Sequence, residues 1–237
     1  MKYIGIDGCK IGWFFVILDD KQNWEIGVVK EIGALLPRII ASEMTLIDIP
    51  LGLREDIKTE RLCDLSARKV LGARRSSVFP TPSRAAIYCS SYEEASQINY
   101  INTGRRLSQQ SWAITGKIKE VDIFVRDNLQ LKHFREIHPE VCFWGLNSKQ
   151  EMNFSKKKQE GFEERRIILE KHFKPTMDII GESLSRYYRK EVAKDDILDA
   201  LVGAITAKEV HQLYSLPASP ELDAKGIKME MVYSSFE

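Results

Sequence analysis

The sequence predicts an α/β protein built on a mixed five-stranded sheet, with helices on both faces. Three observations lead there. Lys2–Leu18 is a pair of apolar, β-rich runs around a short glycine-bounded turn, the pattern of a hairpin opening a buried sheet. Ile32, Leu35, Leu36, Ile39 and Ile40 then recur at the i, i+3, i+4, i+7, i+8 spacing of a helix packed on a sheet. Thr45–Pro50 follows as a buried strand closed by proline.

Asp7 ends the first apolar run. A carboxylate there is costly to desolvate without a partner or a metal; a turn aspartate satisfied by backbone amides explains it equally well. The polar group Asp19–Asn23 marks the next turn, and Trp24–Lys30 reads as a third strand with Ile26 and Val28 at alternate positions. Pro37 falls inside the helical pattern that follows, which a helix tolerates only if it starts late. The order to this point is β-β-β-α-β, and the helix can lay the fourth strand parallel to one already placed. If it lies beside the first, Asp7 and Asp48 occupy equivalent ends of neighbouring strands about 4.8 Å apart. Two carboxylates so placed call for a cation between them; a cap before Pro50 is the other reading of Asp48.

From about 51 to 130 the pattern changes to a helical and loop insertion after the fourth strand, carried by a single domain spanning 1–237. Glu60–Leu71 reads as a helix stopped by Gly72. No Asp or Glu occurs between Asp64 and Glu93, whereas Arg68, Lys69, Arg74, Arg75 and Arg84 all do. With Ser76 and Ser77, this stripe suits phosphates through arginine forks and hydroxyls, or it pairs with the protein's own acids. Helices are expected at Tyr92–Asn99 and Ser108–Val125, the latter with Trp112, Ile114, Ile118 and Val121 inward.

Lys132–Trp144 reads as a fifth strand broken by Pro139, completing a β-β-β-α-β-α-β-α order. Glu140 just past the proline is placed to reach a cleft at the strand ends. His138 is a candidate proton carrier or supporting group, or simply a packed, hydrogen-bonded histidine. Lys156–Lys158 reads as a solvated turn. Phe162, Leu169 and Phe173 line one helix ended by Pro175, and Met177, Ile180, Leu184 and Tyr187 line another. The last strong element is Asp195–Ala207, with Leu198, Leu201, Val202 and Ile205 on its core face. Asp196 and Asp199 lie three apart on one side of its first turn. Helix capping accounts for Asp195 or Asp196, but not for Asp199, which sits among Leu198, Ala200 and Leu201.

Composition narrows the function classes. A net charge of +1 argues neither for nor against a polyanionic partner. The four cysteines, Cys9, Cys63, Cys89 and Cys142, contain no C-x-x-C pair, so they suggest reduced thiols in a cytoplasmic protein rather than a zinc cage. No apolar run approaches the ~20 residues that span a bilayer, and no leader peptide is recognisable at the N-terminus. No membrane association is expected.

The scattered acids and the strand order resemble the ribonuclease H fold of ribonuclease H, Holliday-junction resolvases and transposases. Asp196-Ile197-Leu198-Asp199-Ala200 resembles the D-x-x-D-A segment of bacterial resolvases, in which both aspartates bind metal. More closely, the chain resembles the family known as domain of unknown function 429, regarded as predicted nucleases of this fold. The matching pieces are Gly5–Cys9 with Gly12-Trp13, Ile47–Gly52, Arg61 through Arg68 and Arg74 to Pro82. They continue with Glu136–Glu140, Gly161 with Glu164-Arg165, and Asp196 through Ala207. Two departures from resolvases stand out: Asp48 replaces a glutamate, and the insertion is much larger.

The resemblance implies a metal-dependent nuclease hydrolysing phosphodiester bonds. Asp7, Asp48, Asp196 and Asp199, with Glu140 as a further catalytic acid, would hold two Mg²⁺ or Mn²⁺ ions roughly 3.5–4 Å apart. Arg68, Arg74, Arg75, Ser76, Ser77 and Arg84 would clamp a DNA or RNA backbone, with His138 in support. The alternatives are a binding protein that keeps the acids for a nucleic acid or metal-held ligand without turnover, and an actin-like ATP-dependent enzyme. The last is disfavoured because no further glycine-rich phosphate loop occurs.

Overall fold

The structure, a computed structural model, describes residues 1–55 and 59–235; residues 56–58 of the expected insertion lie outside the described residues. Strands β1 (Lys2–Cys9) and β2 (Gly12–Asp19) form the expected hairpin. Gly12 makes its turn possible: it sits at φ 146°, and a Cβ there would strike the Val29 carbonyl. Strand β3 (Trp24–Val29) pairs antiparallel with β2. A 3₁₀ turn over Ile32–Leu35 then leads into α1 (Leu36–Ile40), where Pro37 occupies the first turn and forfeits no helix hydrogen bond. The helix does start late, and Ile32, Leu35 and Ile39 are all buried.

Strand β4 (Met44–Ile47) lies parallel beside β1 with Ile47 opposite Ile6, and the described residues of the segment that follows carry five α-helices. These are α2 (Leu62–Val70), α3 (Arg84–Ile87), α4 (Tyr92–Thr103), α5 (Gln109–Ala113) and α6 (Thr115–Asp127). The expected helix over 108–125 is thus two, broken at Ile114. Strand β5 (Phe134–Glu136) pairs parallel with β4 and completes a five-stranded sheet in the order β3-β2-β1-β4-β5. It is far shorter than the strand expected over 132–144. Pro139 does not interrupt a strand; it opens α7 (Pro139–Leu146), where its fixed φ and missing N–H suit the first turn. Glu140 therefore stands on a helix.

Helices α8 (Gln159–His172), α9 (Thr176–Arg186) and α10 (Lys194–Lys208) follow. Of the stripe expected on α9, Ile180 is buried and Tyr187, just past the helix end, packs half-buried on the core, whereas Met177 and Leu184 are exposed and Thr176, Ile179 and Ser183 turn inward instead. The chain closes with a hairpin of β6 (Leu213–Leu222) and β7 (Lys228–Ser234) that periodicity did not foretell. Pro217 and Pro220 disguise β6 as a loop, and β7 is buried on both faces from Met229 to Ser234, so polar alternation is blurred. Among the described residues, no helix is long and apolar enough to cross a membrane.

The period of two along the strands divides the core. Tyr3, Phe14, Val16 and Leu18 face the side covered by α8, α9 and α10. Ile4, Ile6, Trp13, Phe15 and Ile17 face the other, packed with Leu35 and Ile39 and with Ile118, Val121 and Phe124 of α6. Helices cover both faces, as expected. Every residue of α10 from Ile197 to Ala207 is buried, which explains its apolar, small-residue character all round.

The closest approach of helix to sheet is at two glycines. A Cβ on Gly5 would overlap the backbone of Ala200 and Ala204, and one on Gly203 would crowd the Gly5 Cα and Ile137. Gly5→Ala should therefore push α10 off β1 and destabilise the protein by about 3 kcal/mol or more, since backbone rather than a flexible side chain must yield. Denaturant melts of the two proteins check this; an unchanged midpoint would contradict the packing described.

Candidate metal centre

The glycine contact sets the position of three carboxylates. Along β1, Asp7 is two residues beyond Gly5 and so on the same face, about 6.6 Å further on. Along α10, Asp199 lies one turn before Gly203, about 5.4 Å away on the same side. The helix runs against the strand, so both steps lead to the same place. Asp48 comes from the third direction: its N–H donates to the Ile6 carbonyl at 2.9 Å, extending the β1–β4 ladder one residue past β4. One carboxylate oxygen from each of Asp7, Asp48 and Asp199 lies within 4.8 Å of the others. Asp7 and Asp199 are buried and Asp48 half-buried.

Few hydrogen bonds satisfy this cluster. Asp7 Oδ1 accepts from the Gly8 N–H at 2.7 Å. Asp199 Oδ2 accepts from the Lys156 ammonium, which arrives on the loop between α7 and α8. Asp199 Oδ1 is buried without a partner. One ammonium against three carboxylates leaves the group short of positive charge. Burial, then repulsion by Asp48, Asp199 and Asp196, drives Asp7 well above the ordinary aspartate range. Burial and Asp199 do the same to Asp48, while Lys156 offsets part of the burial effect at Asp199.

The other expected acids stand differently. Asp196 is half-buried, and its Oδ2 accepts from the Ala193 N–H at 2.8 Å, a capping contact at the start of α10. It is not among the three clustered acids, although burial lifts it to about 6 and its charge reaches Asp7 and Asp48. Glu140 is separate: both its oxygens accept from the Arg165 guanidinium of α8 at 2.7–3.0 Å, with both side chains buried. His138 precedes α7 with Nε2 3.3 Å from the Ser77 carbonyl. A carbonyl only accepts, so Nε2 carries the proton and the buried, unpartnered Nδ1 offers a lone pair. Burial lowers the His138 pKa and favours this neutral form.

A cleft in two lobes opens beside the triad. The larger, about 460 Å³, is lined by Arg74, Ser76, Ser77, Gln110, Lys156 and Lys157 together with Glu140 and Arg165. The smaller, about 170 Å³, is floored by Asp7 and Asp48 and walled mainly by apolar side chains. Asp48, Phe79 and His138 belong to both. Of the basic residues expected to meet phosphate, Arg74 and both serines are on this cleft, with Arg74 also donating to the Met152 and Asn153 carbonyls, which leave its charge unneutralised, but Arg75 lines neither lobe. Arg68 is engaged by the Val78 carbonyl and Glu60. Arg84 is buried and bonded to Glu55, Asp122 and Asp223, so it ties the protein together rather than facing a ligand.

Three contributors escaped the sequence reading. Lys156 read as a solvated turn, and only its place in the fold gives it a role. Phe79 had no periodicity to single it out. Arg61 anchors a second acid group, Cys63, Asp64 and Glu136, that also has metal-like spacing. There the guanidinium already fills the cation position, bonding Asp64 at 2.6 Å and Glu136 at 2.7 and 2.9 Å. The i, i+3 spacing of Arg61, the residue capping the start of α2, and Asp64 in its first turn was the available signal.

The family described as "Protein of unknown function (DUF429)" has a model that matches residues 5–222. The chain belongs to the DUF429 family. No curated protein and no solved structure matches it. In this DUF429 protein the triad and all the lining of the cleft except Met231 fall inside the matched residues.

The charge imbalance has a measurable consequence. Acids whose pKa is raised by folding stabilise the fold while protonated, and that contribution is lost as pH rises through the folded value, which for Asp196 is about 6. The metal-free protein should therefore lose stability on going from pH 5 to pH 7. Asp7→Asn removes one buried charge at nearly constant shape and should make the metal-free protein more stable at pH 7, by about 0.5–2 kcal/mol. Urea denaturation in chelator at both pH values tests this, and a destabilised variant at pH 7 would refute it.

Proposed function

We propose that this DUF429 protein is a metal-dependent nuclease that hydrolyses phosphodiester bonds, with Mg²⁺ or Mn²⁺ held by Asp7, Asp48 and Asp199. The observation that carries the reading is the convergence of these three carboxylates, from β1, the end of β4 and α10, beside a basic cleft. The donor set fits the ions: it is all oxygen, as hard cations prefer. The buried Asp199 Oδ1 has no hydrogen-bond partner in the protein, which suits it to serve as a ligand atom. When bound, such ions supply a water of lowered pKa and positive charge for the departing oxygen.

The chain's own groups do the rest. Arg74, Ser76, Ser77 and Lys157 bind the sugar-phosphate backbone, which gives affinity without reading sequence. Asp196 is the nearest further acid for a second ion, since its charge reaches both Asp7 and Asp48. Glu140 holds Arg165 at the cleft wall instead of meeting the reacting atoms. The strand order, with β4 beside β1, supports the ribonuclease-H-like reading of the sheet. Four free cysteines support a cytoplasmic setting. A second reading, a binding protein without turnover, draws on one contact: Lys156 already supplies the triad with a cation of its own.

Cleavage assays on single-stranded, duplex, hybrid and branched DNA and RNA with Mn²⁺ separate these readings. The wild type should cleave at least one substrate, and Asp7→Asn or Asp199→Asn should reduce the rate more than about 100-fold. Arg74→Ala should weaken binding alike for all sequences and lower the salt-dependence slope by about 0.7–0.9. A wild type that binds nucleic acid and Mn²⁺ yet leaves the whole panel intact would favour the binding protein.

A further inference from the structure

The two lobes of the cleft differ in chemistry, and the difference specifies more than a phosphate backbone. The larger lobe carries the cations and hydroxyls. The smaller is walled mainly by apolar side chains, among them Ile49, Val78, Phe79 and Met231, with the Arg61–Glu136 ion pair also reaching it. Asp48 stands at their junction, so a phosphate held at the triad has a charged surface on one side and an apolar slot on the other. At about 170 Å³ the slot is smaller than the ~300–1,000 Å³ of clefts that take drug-sized ligands. It suits one flat ring system, without its sugar and phosphate.

Two residues at the junction favour a nucleobase as that ring. Phe79 is a half-exposed aromatic shared by both lobes, which is how a stacking platform is placed along a strand. His138 Nδ1 is a buried acceptor with no partner in the protein. A nucleobase brings what it lacks, an exocyclic amine or ring N–H donor. Lys117 also lines the slot, its ammonium already donating to the Gly12 carbonyl at 2.6 Å.

We propose that the apolar lobe is a subsite for one unpaired nucleobase, stacked against Phe79 and donating to His138, next to the phosphate held at the triad. The substrate is then a strand with at least one base out of its stack, single-stranded or locally opened, because a paired base cannot enter the slot. The inference rests on the nuclease reading and extends it to a substrate class.

The test uses fluorescence anisotropy of the full-length protein in Ca²⁺, with a labelled mixed-sequence single strand, the same strand with one abasic tetrahydrofuran residue moved position by position, and the matching duplex. One abasic position should weaken binding roughly tenfold or more, and the duplex should bind more weakly than the strand. Phe79→Ala should impose the same loss on the intact strand and no further loss on that abasic strand, which also shows that the variant is folded. If the intact strand binds but no abasic position matters, or if Phe79→Ala weakens both strands alike, the subsite is overturned while the nuclease reading stands. A duplex bound as tightly as the strand overturns it too. If no nucleic acid binds at all, the nuclease reading fails and the subsite falls with it.

Discussion

The contact of Gly5 with the backbone of α10 is the constraint on which the candidate site depends. Strand β1 and helix α10 are far apart in sequence, and their backbones nearly touch where they bring two carboxylates within 4.8 Å; side chains at positions 5 and 203 would push them apart. Ala200, Ala204 and Ala207 extend the same close seam along the helix. The helix is consequently buried all round and owes its stability to tertiary packing, not to an amphipathic pattern. Asp199 is the exception in that apolar surface, at the point where the seam meets the end of β1.

Two acid groups among the described residues have the spacing of a metal site, and they differ in how their charge is met. Around Arg61, a rigid guanidinium donates to Asp64, Glu136 and the Leu51 and Gly52 carbonyls, and Glu136 also accepts from the Leu51 N–H. Nearly every lone pair facing that cation is used, and the chain on both sides of it is tied down. Around Asp199, by contrast, a single ammonium on a loop side chain meets three carboxylates and leaves one oxygen without a partner. Arginine completes the first group as a piece of architecture. The second keeps an unmet demand for positive charge, which folding tolerates at the expense of stability and which a divalent cation would relieve.

What the sequence revealed follows the same line between local and long-range causes. The hairpin, β3, β4 and α10 were legible because each carries a period or a turn residue of its own, and the pairing of Asp7 with Asp48 followed from strand order. Asp199 was legible because an acid among Leu198, Ala200 and Leu201 breaks the pattern around it. The shift of Glu140 from a strand end to a helix was not, because Pro139 marks both a broken strand and a helix start, and only the packing of α7 decides between them. Arg84 and Arg68 read as phosphate ligands because their acid partners lie far off or on neighbouring turns. Glu55, Asp122 and Asp223 meet Arg84 from three separate segments. Lys156 was invisible for the same reason, since its partner Asp199 is on another helix.

The division of labour within the cleft follows from the topology. Parallel strands β1 and β4 present their ends on one edge, and that edge can supply acids but little surface for a ligand to lie against. The segment between β4 and β5 provides that surface. Its stretch between α2 and α3 brings Arg74, Ser76, Ser77 and Phe79 over the strand ends, pinned by Arg68 to the Val78 carbonyl and by Arg74 to the Met152 and Asn153 carbonyls. The C-terminal hairpin backs the same stretch, with Met229, Met231 and Tyr233 packed on Cys63, Ala67 and Val78. Met231 then reaches the apolar lobe itself. A loop that lines a cleft with polar groups keeps its shape only with support from behind. Here the last strands of the chain supply it, so the cleft depends on both ends of the sequence as well as its middle.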